Sequence, residues 1–129
     1  NPSVPEVPEV VRADIPISDE PERIYRGLGP FLLNPADTSN EQSFRFLRTT
    51  ITFGVAPAQV HDEIDLRMPK VRDRVVGILT GKKVAEMDDP EDREFIKDEI
   101  KFAVQGVLRE DGLQGEFLLL VYFTEFLIQ

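Results

Sequence analysis

The sequence predicts an α+β domain of order β-β-α-α-β, with helices packed on one face of an antiparallel sheet. Three observations carry this prediction. Ser43 to Val55 is rich in Phe, Thr and Ile, and Leu47, Thr49, Ile51, Phe53 and Val55 recur in it with period two, as on one face of a strand. Val60, Ile64, Met68, Val71, Val75 and Ile78 step by three and four, as an amphipathic helix does. The chain then closes on an almost unbroken apolar run from Phe117 to Ile128.

Residues 1–28 carry five of the ten prolines in a Pro-x-x-Pro rhythm and lack bulky apolar surface. They read as a tether, with a reach on the order of 80 Å if extended, or as an unstructured chain end. The folded domain is expected over 29–129. Its first strand is short, Pro30 to Asn34, and stops at Asn34-Pro35 and the polar turn that follows. Leu47, Thr49, Ile51, Phe53 and Val55 share one face of the second strand. Phe44 and Phe46 fall on the other, so a bulge near Leu47 is expected to bring all of them to the core. The two strands should form a hairpin.

In the helix that follows, Pro69 removes one backbone bond, yet the apolar stripe keeps phase across it. One kinked helix is therefore expected, ended by Gly81 with Lys82 and Lys83 at its negative pole. The next helix starts with Asp89 as cap, Pro90 in the first position, and Glu91 and Asp92 facing the dipole. It buries Ile96, Ile100, Ala103, Val104, Val107 and Leu108 and stops near Arg109. Gly115 to Gln129 reads as a long strand with apolar residues on both parities, so both of its faces are expected to be covered.

Composition narrows the function. Acidic residues outnumber basic ones 24 to 15, a net charge of −9, which disfavours nucleic acid as a partner. There is no cysteine, so disulfides and thiolate metal sites are excluded. His61 is the only histidine, and no nucleophile elbow or phosphate loop is present. His61 and Asp65 lie one helical turn apart, but two ligands do not make a metal site. Asp88, Asp92 and Glu99 fail as a calcium loop because Pro90 and Arg93 occupy positions that loop cannot spare. No catalytic, metal or cofactor site is predicted.

Candidate partner surfaces are three. Arg67, Lys70 and Arg74 line one helix flank, placed either to meet acidic residues on a second copy or to remain solvated beside Glu63. Phe95 and Phe102 lie seven residues apart, about 100° or more off the stripe of their helix, either widening the core contact or facing a partner. The last strand, with Phe123, Glu125 and Phe126, is longer than a domain of this size needs to cross its sheet. It either curves strongly or pairs elsewhere.

Particular motifs add a family resemblance. Met68-Pro69-Lys70-Val71-Arg72-Asp73 and Ile78-Leu79-Thr80-Gly81-Lys82, with the ending Val121-Tyr122-Phe123-Thr124-Glu125-Phe126-Leu127-Ile128-Gln129, resemble stretches of the FliL family. Leu33-Asn34-Pro35-Ala36-Asp37 is similar to its opening motif, with Pro35 where that motif has an apolar residue. The resemblance implies a periplasmic domain with a stomatin/prohibitin (SPFH)-like fold. It further implies a single-pass inner-membrane protein, anchored by an N-terminal transmembrane helix upstream of Asn1. Such proteins assemble as homo-oligomeric rings around the MotA–MotB stator at the flagellar basal body and support motor torque and motility. No catalytic residue carries over. The other reading is an SPFH-like membrane scaffold of a non-flagellar complex.

Overall fold

In the computed structural model the described residues are 23–24, 27–37 and 45–129. The tether expected over 1–28 and the turn and strand residues 38–44 therefore lie largely outside them, Phe44 included. Strand β3 (Leu47–Ala56) is the centre of the sheet, with β4 (Leu118–Ile128) paired antiparallel along its whole length. The other edge of β3 is shared by β1 (Arg23–Ile24) and β2 (Leu28–Leu33), both antiparallel. The sheet thus reaches back to Arg23, and Leu28 is already buried.

The expected inner face of β3 is found: Leu47, Thr49, Ile51, Phe53 and Val55 are all buried. The expected bulge near Leu47 is not. Phe46 is instead half-buried and exchanges both backbone bonds with Gln129 at the end of the ladder. The bulges lie on the neighbours of β3. In β2 the register shifts between Leu28 and Phe31. Gly29 there has φ +121°, and a Cβ would stand 2.9 Å from the Phe31 nitrogen, so only glycine fits without strain. In β4 the register shifts between the partners of Thr50 and Ile51, leaving Thr124 as the extra residue.

The expected single kinked helix is two helices. α1 (Gln59–Leu66) and α2 (Met68–Thr80) break at Arg67, which has φ −112° and ψ 23°. Pro69 then occupies the first turn of α2, where its missing N–H costs nothing. Val60, Ile64, Val71 and Val75 are buried as expected, but Leu79 rather than Ile78 completes the stripe. Gly81 does cap α2, at an ordinary φ of −87°. Lys82 does not serve the helix pole; its ammonium meets Glu99, 2.6 Å away. A short helix, α3 (Val84–Asp88), comes next; the Lys83 N–H donates to Glu86 and Met87 is buried.

Helix α4 (Pro90–Glu110) starts as its sequence demands, with the Asp89 carboxylate accepting from the Glu91 N–H. It ends at Gly112, whose φ of +95° suits the left-handed turn past a helix end. Ile96, Ile100, Val104, Val107 and Leu108 face the sheet. Helices α2 and α4 pack side by side, and one core joins their apolar stripes to the inner face of β2, β3 and β4.

The last strand is not covered on both faces. The bulge at Thr124 switches parity, so Leu119, Val121 and Phe123 point to the helices, and after it Phe126 and Ile128 do. Leu118, Tyr122 and Leu127 are exposed on the other face. The apolar residues of both parities therefore have two origins: a bulge, and an open outer face. Among the described residues the element order is β-β-β-α-α-α-α-β, an α+β domain with two more helices and one more strand than expected.

Candidate interaction surfaces

Phe95 and Phe102 stand on the side of α4 turned away from its buried residues, 64% and 79% exposed. A phenylalanine so exposed forfeits about 1.5–3 kcal/mol of burial that a core would supply. Two on one stripe make an apolar surface that the fold itself does not explain. Gly106 continues that stripe, and a Cβ there would meet nothing within 4 Å. Glu91, Asp98 and Glu99 surround it with exposed carboxylates.

Arg67, Lys70 and Arg74 are brought together but turn onto their own chain. Arg67 sits at the α1–α2 break, its side chain 17% exposed. It donates through Nη1 to Glu63 Oε1 at 2.6 Å and through Nε to Asp111 Oδ2 at 2.9 Å. Lys70 Nζ donates to the other Asp111 oxygen at 2.9 Å, and Arg74 to Glu110 at 3.1 Å. These bonds clamp the break in the helical layer to the C-terminal end of α4. The hydrogen bond that Arg67 donates to Glu63, foremost, and then the one to Asp111 hold its guanidinium above its ordinary pKa.

Asp111 is held below the usual carboxylate range, chiefly by the Lys70 hydrogen bond, against a smaller opposing effect of desolvation. A depressed carboxylate pKa contributes stability above the unfolded value near 4 that is lost as pH falls through the folded pKa. Asp92 is shifted up, first by desolvation and then by Asp89, and has the opposite sign. Asp111→Asn is therefore expected to lower the melting temperature at neutral pH and to shrink that difference below about pH 4. Thermal unfolding across pH 2–7 checks this; equal loss at every pH would contradict it.

Phe123 and Phe126 lie on the helix side of β4, half-buried, their rings 4.9 Å apart. Arg93 sits 4.6 Å above the Phe126 ring. Glu125 is exposed on the other side, accepting from Thr50 and 3.3 Å from Arg48. Sequence reasoning missed the acceptors Asp111 and Glu110, which are distant along the chain. It also missed a cleft of about 190 Å³ between α4 and the outer edge of β4, lined by Glu94, Lys97, Asp98, Lys101 and residues 120–122. The two acid–base pairs Glu94–Lys97 and Asp98–Lys101, each three residues apart on α4, were the available signal. Among the described residues no three His, Asp or Glu gather as a metal site, and no helix is long and apolar enough to cross a membrane.

A single core under one antiparallel sheet, with an aromatic stripe turned outward on α4, defines an α+β domain. The chain belongs to the FliL family: the family model for "Flagellar basal body-associated protein FliL" matches residues 25–129. It is 36% identical over 106 residues to the "Flagellar protein FliL" of Aquifex aeolicus (strain VF5), covering 82% of this chain. The chain spans 61% of the length of that curated relative.

Proposed function

We propose that this domain is a non-catalytic scaffold of the flagellar motor, in which copies assemble as a ring around MotA–MotB stator units and sustain torque. In this reading the domain is periplasmic and SPFH-like, tethered through the proline-rich stretch before Arg23 to a single transmembrane helix in the inner membrane. Membership of a family named for the flagellar basal body is the observation that carries it, and it favours the flagellar over the non-flagellar scaffold. The Phe95 and Phe102 stripe supports the assembly part, because exposed aromatic pairs are the anchors of protein interfaces. Lys70 and Arg74 remain partly exposed beside their intrachain partners Asp111 and Glu110 at the end of α4.

Deleting the chromosomal gene is expected to impair swimming most under viscous load and to reduce stator recovery with basal bodies. Unchanged motility and stator recovery would overturn the proposal. Phe95→Glu with Phe102→Glu is expected to weaken self-association of the anchored protein about tenfold or more while leaving the fold intact. Sedimentation and circular dichroism of the two proteins in detergent check this; an unchanged oligomer would place the contact elsewhere.

A further inference from the structure

The two edges of the sheet differ. On the β2 edge, Pro30 has no N–H to donate and the bulge at Gly29 breaks the ladder, so that edge is blunted. On the β4 edge, Leu118 to Phe123 runs straight to the bulge at Thr124 with no proline, glycine or charge. Among the described residues β4 pairs only with β3, so its outer row of backbone groups faces the cleft. A straight apolar edge of this kind is a template for another strand.

The wall of the cleft says which strand. Along α4 the charges run Glu94, Lys97, Asp98, Lys101, acid-base-acid-base about a midpoint between Lys97 and Asp98. Reversing this row by a two-fold rotation sets Glu94 opposite the second copy's Lys101, and Lys97 opposite the second copy's Asp98. Each acid then meets a base. Lys97 already pairs with Glu94 at 2.8 Å, whereas Asp98 and Lys101 have no ion-pair partner among the described residues.

The strand obeys the same rotation. Antiparallel pairing centred on Val121 sets it against itself, Leu119 against Phe123 and Leu120 against Tyr122. Paired residues stay on the same face: 119, 121 and 123 towards the helices, 120 and 122 away from them. No like charges come to lie opposite one another, and every pair is apolar or aromatic. We infer that two copies of this chain join through the straight part of β4, forming one continuous sheet with their α4 helices side by side across a two-fold axis. This isologous contact is centred on the β4 edge and not on the Phe95–Phe102 stripe, and it stands apart from the ring reading. It does not depend on the stator.

The test is sedimentation of the chain itself over a concentration series, with amide hydrogen exchange. Dimerisation is expected, with amides of 119–123 gaining protection as concentration rises. Lys101→Glu opposes two acids across the axis and should weaken the dimer about tenfold; Glu94→Lys with Lys101→Glu restores the complement and should recover it. Leu120→Lys, on the partly exposed outer face, should weaken the dimer without touching the α4 wall. A monomer at every concentration overturns the inference, as does a dimer indifferent to both Lys101→Glu and Leu120→Lys. A dimer lost only with Phe95 and Phe102 would support the ring contact and overturn this one.

Discussion

Truncating Phe53 to alanine is expected to cost about 3–5 kcal/mol of unfolding free energy, a large part of the 5–15 kcal/mol that holds a domain of this size. Phe53 has no exposed surface. It lies on the inner face of the central strand, opposite Val121, where the strand is flanked on both sides and the helices cover it. Neighbours fixed by two ladders cannot collapse into the space that a lost ring leaves, so the cavity cost adds to the lost burial. Urea unfolding of Phe53→Ala should show a lower midpoint at unchanged slope. A loss below about 1 kcal/mol would mean that the core is less tightly packed than described.

Thr49→Val is expected to cost about 1–3 kcal/mol, although it changes neither size nor shape. Thr49 is fully buried on the same inner face, and its hydroxyl donates to the Glu125 carbonyl at 2.7 Å. That carbonyl belongs to the bulge in β4, where one backbone group is displaced from regular pairing. The hydroxyl therefore satisfies an acceptor that the ladder leaves over, and it fixes the position at which β4 switches parity. Across the sheet, the Thr52 and Thr124 hydroxyls stand 3.1 Å apart and anchor the bulge from the outer face. Thr49→Ser keeps the donor and should retain the exchange protection of amides 124–126 that Thr49→Val loses. Equal loss in both would contradict an effect carried by the hydroxyl alone.

What the sequence shows and what it hides divide along physical lines. The inner face of β3 and the start of α4 were legible because each rests on local chemistry, period two in one and a cap with proline and acids in the other. The break at Arg67 was not, since Val60, Ile64, Val71 and Val75 point the same way with or without it. α3 was missed because a five-residue helix with one buried residue has no period to read. The bulge was expected in the wrong strand: apolar residues on both parities of β4 suggested two covered faces, where the structure has a parity switch and an open face.

The candidate surfaces divide the same way. Phe95 and Phe102 were legible as out of phase, and the structure turns them outward. The basic flank looked equally available, but its partners Asp111 and Glu110 come from the far end of α4, and no local pattern announces a contact over that distance. Asp98 and Lys101 gain meaning only when the fold sets β4 beside them.

A structure of the protein in membrane together with MotA–MotB stator units tests the proposed ring most directly. The expected result is copies of this domain closed into a ring around the stator unit, with Phe95 and Phe102 buried between neighbours. Single copies scattered away from the stator, with both rings exposed to solvent, would contradict it.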